Sequence, residues 1–450
     1  MNTKSNFSSR LGFVLATAGS AVGLGNIWRF PYLAAKYGGG TFLLIYIVLA
    51  VTFGFTLMIT ELAIGRKTGK SVVGAFTSLD KRFSFLGYLA AIVPMIIFPY
   101  YCVIGGWVIK YGVLYVTGQA QLAAADGTFS NFIAGTSGPL GYFFLFIAFT
   151  ALIVILGVEK GVEKFSKLLM PLLVLLTIGI AIYVLTVDGA MEGVKYYLTP
   201  DLSKISMNAV CAALGQLFYS MSIAMGILVT YGSYMKKQDD LGKSVVQIEF
   251  FDTGIAFLAA LIIIPAVFAY SGGDPATLGA GPSLMFIALP KVFANMQFGS
   301  VIGAAFFVLV FFAALTSSIS LMETIVSIFM EKLHWSRKKT CAIVLAISLA
   351  LGIPSALGYG PLDSVKLLGM QFLDFFDFIS NSVIMPIVAL FTCIFVGYFI
   401  KPKSIHEEVT VSGKFKRYGM YCAMVKYIAP PLLIIILISS ILNALGIISL

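Results

Sequence analysis

The chain has 450 residues, 59% of them hydrophobic and 11% charged, with a formal net charge of +10. No soluble fold needs that much apolar surface, so the class is an all-α membrane protein. At about 20 apolar residues per crossing, eleven transmembrane helices are read: 11–35, 42–65, 85–117, 140–157, 166–187, 205–233, 243–270, 299–331, 339–357, 367–399 and 419–448.

In chain order, the first span is the least regular. Its "SAVGLGNIWRFPY" sets two glycines, an asparagine, an arginine and a proline inside an apolar run. Gly23 and Gly25 alone would fit close helix packing. Followed at once by Asn26 and Arg29, they instead point to a deliberate break, in which freed carbonyls bind a cation and freed N–H groups bind an anion. The second span carries Glu61 at depth, and the third carries Tyr100 and Tyr101 in "FPYYCVIGGW". The fifth opens with "GVEKFSKLLMP", where Gly161 and Pro171 bracket nine residues. Glycine and proline both weaken helix, and Glu163, Lys164, Ser166 and Lys167 between them are polar enough to be wetted.

The sixth span holds a second interruption, "GQLFYSMSIAMG", with polar Gln216, Tyr219, Ser220 and Ser222 between glycines. Interruptions five spans apart point to an inverted repeat with a substrate site at the membrane midplane. The seventh span buries Asp252. The eighth, "FFAALTSSIS", has four hydroxyls in five positions, more than the usual back-bonding to a preceding carbonyl requires. Neutral oxygens without a dense carboxylate cluster suit a monovalent cation better than calcium or magnesium. The tenth span carries Asp374 and Asp377, three apart on one helical face.

Positive residues crowd alternate loops, around Arg66–Arg82, Lys160–Lys167, Lys236–Lys243, Lys332–Lys339 and Lys401–Arg417, and thin out in the others. This positive-inside pattern places the N-terminus in the cytoplasm and, with an odd span count, the C-terminus outside. The same placement argues against nucleic acid as a partner. No cleavable leader is read in the first run. The five cysteines lie within spans without metal-ligand spacing, and no nucleotide loop, zinc motif or hydrolase elbow appears, so an enzyme is not expected.

The stretches "RLGFVLATAGSAVGLGNIWRFPY", "GQLFYSMSIAMG" and "FFAALTSSIS" closely resemble the first, sixth and eighth spans of the neurotransmitter:sodium symporter family. The resemblance implies one transporter domain over 1–450, a five-plus-five inverted repeat with broken helices 1 and 6. Repeat one covers about 10–187, repeat two about 203–400, and an extra helix 418–450. Many bacterial members stop at eleven spans, which implies a bacterial inner membrane location.

The implied activity is sodium-coupled import of a hydrophobic amino acid, aromatic ones included, by alternating access. The alternatives are a symporter for another small carboxylated amine, a transport-inactive amino-acid sensor, and a channel. A sensor would need a signalling domain, and a channel would not close both sides of a midplane site. Partners are the substrate and membrane lipid, with no obligatory protein partner.

Carried over residue by residue, one sodium is held by Ala21, Asn26, Ser220 and Asp252, with the substrate carboxylate completing the site. A second is held by Gly19, Val22, Ala313, Thr316 and Ser317. Asp252 stands where many relatives have Asn, which implies no chloride requirement. Tyr101 and the N–H groups of Leu24 and Gly25 would receive the carboxylate. Ile104, Met225 and Leu321 would form an apolar wall, with Ser222 and Ala224 on the unwound backbone and Tyr219 as lid. Gly23 stands where monoamine carriers have Asp, which implies a substrate with its own carboxylate. Glu61 would brace the sixth span. Arg29 would face Asp377, or Asp374, across an outer gate. Lys4 and Glu331 would form an inner gate, with Phe7 in place of a common Trp and Tyr234 capping the sixth span. The stretch from Gly161 to Pro171 would unwind to hydrate the second sodium.

Overall fold

The computed structural model describes residues 6–271 and 281–444. Regular structure among these residues is helical, apart from one isolated bridge between Leu367 and Met370. The membrane-class helices are α1 (Arg10–Ala21), α2 (Gly25–Lys36), α3 (Gly40–Thr68), α4 (Lys81–Val116), α5 (Ser137–Ile155), α6 (Val158–Leu185), α7 (Met207–Ser220), α8 (Ile227–Tyr234), α9 (Leu241–Tyr270), α10 (Gly299–Leu333), α11 (Arg337–Leu357), α12 (Phe372–Phe399) and α13 (Tyr418–Asn443).

Among the described residues nine of these are unbroken and long enough to cross a bilayer, and α1 and α2 form a further crossing bent by 54°. The stretch predicted as the sixth span is two shorter pieces, α7 and α8, neither of which can cross alone. Among the described residues there are thus nine continuous crossings and one bent one, and the first and sixth stretches are interrupted as the sequence led one to expect. The fifth predicted span also starts earlier, at Val158, because Gly157 (φ 93°) turns the chain just before it and the polar first turn is already helical.

Local chemistry sets the breaks. Ser9 caps α1 by accepting from the Gly12 N–H (3.1 Å), and Ser206 caps α7 by accepting from Ala209 (3.1 Å). Helix α1 ends where Val22 turns to extended backbone (φ −72°, ψ 98°). Between α7 and α8, Ser222 (φ 53°) and Ala224 (φ 62°) adopt the left-handed region that only glycine enters freely, and Gly226 (φ 70°) starts α8. Strained backbone of this kind persists only where its surroundings hold it. Helix α1 packs against α6, α9 and α10, while α10 lies along α4 and α3 along α8. Both breaks therefore sit in the middle of the bundle.

Candidate functional site

The two breaks share their unpaired backbone groups with side chains from each other and from α3. Glu61 accepts the Ala224 N–H (2.8 Å). The Ser222 hydroxyl donates to the Ser20 carbonyl (3.0 Å), and Gln216 donates to the Gly25 carbonyl (2.9 Å). Asn26 folds back to accept the Gly23 N–H (3.0 Å). In a dry interior each such group left alone costs about 1–3 kcal/mol, so these contacts are what allow the helices to stop at depth.

Beside the breaks lies a compact polar cluster. The Asp252 carboxylate accepts from Ser220 Oγ (2.6 Å), Asn26 Nδ2 (2.8 Å) and Tyr46 OH (3.3 Å), and Asn26 also donates to Ser220 (3.0 Å) and to the Asp252 carbonyl (3.1 Å). Sequence reasoning missed Tyr46, although a tyrosine in the middle of the apolar "LLIYIVLA" was its signal. Asp252 is fully buried and has no ion pair among the described residues. Asn26 turns its amide nitrogen, not its oxygen, toward Ser220 and Asp252, and a cation there would require the amide to turn over. Ala21 lines the neighbouring cavity.

A second oxygen cluster joins α1 to α10. Ser317 Oγ lies 3.4 Å from the Gly19 carbonyl, 3.0 Å from that of Ser20 and 3.4 Å from that of Val22. Thr316 Oγ1 donates to the carbonyls of Phe312 (3.0 Å) and Ala313 (3.1 Å) on its own helix. Gly19 faces Thr316 so closely that a Cβ would meet Thr316 Cβ at 3.1 Å. Among the described residues no group of three or more His, Cys, Asp or Glu exists that would hold a metal ion. Carbonyls, hydroxyls and one carboxylate are the donor set of a weakly held monovalent cation.

Beside the breaks lies a cavity of about 30 Å³. Its lining includes Ala21, Gly23, Leu24, Gly25, Tyr101 and Ser317. Tyr219, Ser222, Met225 and Leu321 line it too. The Leu24 N–H donates to Tyr101 OH (3.3 Å). A side chain at Gly23 would sit 2.7 Å from Ser317 Oγ and 3.0 Å from Tyr101 OH. Ser220 points away, into the Asp252 cluster. Ile104 does not reach this cavity. It lies a turn farther along α4 than Tyr101 and lines a separate outer cavity of about 320 Å³, while Ile97, a turn the other way, takes the inner position. Tyr219 lines both cavities and forms the partition between them.

The expected gate pairs are rearranged. Arg29, Asp374 and Asp377 all line the outer cavity, but neither carboxylate pairs with Arg29 among the described residues. Arg29 lies over the Tyr219 ring (5.9 Å). Asp377 accepts from Tyr100 OH (3.1 Å) and Asn381 (2.6 Å), and Asp374 from Tyr359 OH (2.9 Å). With those oxygens already engaged, no ion pair joins Arg29 to either carboxylate among the described residues. On the basic face Lys4 lies outside the described residues, and Glu331 accepts the Ser71 N–H (2.5 Å) at the start of the helix Val72–Leu79. Tyr234 OH instead donates to Glu323 (2.9 Å), which also pairs with Arg337. Phe7 packs edge-on against Phe13, Tyr231 and Tyr234. Among the described residues, an aromatic cluster and the part-buried Glu323–Arg337 pair close the basic face.

The stretch from Gly161 to Pro171 is helical, and two of the four side chains expected to be wetted are buried. Ser166 is buried, and Glu163 accepts from the Ser8 N–H (2.6 Å), Ser8 Oγ (2.5 Å) and Lys167 Nζ (2.6 Å). Ser8 of the N-terminal segment and Lys167 of α6 together engage this carboxylate.

The chain is similar to known proteins over nearly its whole length. The model of the Sodium:neurotransmitter symporter family matches residues 4–130 and 137–447. A sodium-dependent transporter of Bacillus subtilis (strain 168), YhdH, is 35% identical, with 98% of each chain covered. One from Haemophilus influenzae is 34% identical, covering 97% of this chain and 98% of the other. Among solved structures, MhsT in complex with L-phenylalanine superposes with a TM-score of 0.88 at 38% identity, over 97% of this chain and 100% of the other.

Proposed function

Since the chain belongs to the sodium:neurotransmitter symporter family, a family of sodium-dependent membrane transporters and not of enzymes, we propose that it imports a hydrophobic amino acid, aromatic ones included, together with two sodium ions. The observation that carries this reading is the meeting of both helix breaks at Asn26, Ser220 and Asp252, beside a cavity where Tyr101 and Leu24 already share a hydrogen bond. The substrate carboxylate would take the place of that contact and complete the first sodium site. Its side chain would enter the space between Ile97, Met225 and Leu321, where a charged group would be desolvated without a partner. Met225 is pliable enough to make room for a ring. That MhsT is solved with phenylalanine supports an aromatic substrate.

The second sodium would lie among the carbonyls of Gly19, Val22 and Ala313 and the hydroxyls of Thr316 and Ser317. Asp252 would supply the negative charge that makes chloride unnecessary, and it could return a proton when sodium leaves. Residues 10–187 and 203–400 would move as the two halves of an inverted repeat. The basic face would be cytoplasmic in a bacterial inner membrane, with the C-terminus outside. Release would follow unwinding between Gly161 and Pro171, once Glu163 gives up Ser8. The test is a thermal-shift screen of the twenty amino acids with and without sodium. Sodium-dependent stabilisation confined to apolar and aromatic amino acids is expected, and stabilisation by lysine or glutamate to the same extent would refute the reading.

A further inference from the structure

Away from the transport path, a crevice of about 780 Å³ opens on the face that carries the basic loops. Its walls come from the first residue of α1, the first turns of α9 and the segment 412–417 that leads into α13. Five cations line it: Arg10, Lys243, Lys414, Lys416 and Arg417. Among the described residues only two carboxylates pair with them. Asp240 lies 3.7 Å from Lys243, and Glu249 lies 3.9 Å from Arg417. Arg10 has neutral partners, Gln247 (2.7 Å) and Ser244 (3.3 Å), and neither Lys414 nor Lys416 has an ion pair among the described residues. Uncompensated positive charge is therefore concentrated in a concave site.

The crevice continues into apolar surface. Arg417 donates to the Val51 carbonyl on α3 (3.2 Å) and lies over the Phe55 ring (4.8 Å). Val51, Val246 and Phe250 beside it are 37%, 42% and 74% exposed. Phe250 lies one turn from Val246 on α9, so both present the same face. Cations at the rim of an exposed apolar wall match a molecule with an anionic head and hydrocarbon tails. A free anion would gain nothing from the wall.

We propose that this crevice binds the phosphodiester headgroup of an anionic phospholipid from the adjoining leaflet, with its acyl chains over Val51, Val246 and Phe250. The phosphate bridges Arg10 to Lys416 and so holds the first turn of α1, whose far end carries Gly19 and Val22, against the 412–417 segment. Lipid occupancy then favours the arrangement in which the basic face is closed.

The test uses the full chain in detergent without sodium, titrated with dioleoylphosphatidylglycerol, dioleoylphosphatidylcholine or inorganic phosphate and followed by native mass spectrometry. Phosphatidylglycerol alone is expected to bind saturably. An exposed lysine–anion pair contributes up to about fivefold, so Lys243→Gln with Lys416→Gln weakens phosphatidylglycerol binding by up to roughly 25-fold. Lys338→Gln with Lys339→Gln, on another basic turn, leaves it unchanged. Lys414→Glu, at an exposed position, gives an independent reading in the same direction. Equal binding by the crevice and control variants, equal binding of phosphatidylcholine, or competition by inorganic phosphate at the lipid's own concentration would overturn the proposal.

Discussion

Asp252→Asn separates a sodium ligand from a structural carboxylate. The substitution keeps the shape of the side chain but removes its charge. It also sets an NH2 group or a weaker oxygen against Asn26 Nδ2 and Ser220 Oγ, now 2.8 Å and 2.6 Å from one carboxylate oxygen. Charge-assisted hydrogen bonds contribute about 1.5–3 kcal/mol each. A unit charge about 4 Å from a cation contributes about 4 kcal/mol at an effective dielectric of 20. Allowing for relaxation, sodium binding should lose about 2–4 kcal/mol, roughly 30- to 700-fold in affinity. The fold should not suffer in parallel. Asp252 is buried with no cation paired to it among the described residues, so the amide sheds the desolvation cost of a buried charge, which offsets the weakened hydrogen bonds from Ser220 and Asn26. The assay is thermal unfolding of wild type and variant across a sodium titration, with choline replacing sodium. The expected result is an unchanged or higher midpoint without sodium and a sodium-induced shift displaced to far higher concentration. A variant that loses stability without sodium yet keeps its sodium affinity would refute the reasoning.

Replacing chloride by gluconate should leave wild-type uptake unchanged, while Asp252→Asn should recover part of its activity in chloride; collapse of wild-type uptake in gluconate would contradict the charge assignment. A decarboxylated amine should bind at least tenfold more weakly than its parent amino acid in competition assays, because it cannot complete the first sodium site; equal binding would show that Tyr101 and Leu24 do not receive a carboxylate. Pro171→Ala should stiffen α6, lower turnover several-fold and leave sodium-dependent substrate binding within about twofold; unchanged turnover, or joint loss of binding and transport, would remove the hydration role from the segment.

What could be read from the sequence was what is local in it. The break at Gly23–Asn26, the hydroxyl run at 316–320 and the buried Asp252 each violate the rules of a lipid-buried helix within a short window; the structure sets Asp252 against Asn26, and Ser317 against the carbonyls of Gly19, Ser20 and Val22. Pairings between helices were less legible. Asp374 and Asp377 share a helical face, so spacing could not show that Tyr359 and Tyr100 engage them and leave Arg29 on Tyr219. Ile97 and Ile104 are both about one turn from Tyr101, and only the direction of α4 across the bundle decides which faces the inner cavity. Glu323 and Arg337 lie 14 positions apart across a turn, and their pairing depends on how α11 returns along α10. The expected wetting of Glu163 failed because its partner, Ser8, comes from 155 residues away.

The central claim is that sodium flux and amino-acid movement are coupled at the two broken helices. The most direct test is uptake of labelled phenylalanine or leucine into proteoliposomes that hold the purified chain, with an inward sodium gradient. The account predicts accumulation above the external concentration, abolished when an ionophore dissipates the gradient and when Asn26 or Thr316 is replaced by alanine. Sodium-dependent binding without accumulation, or equilibration that ignores the gradient, would contradict it.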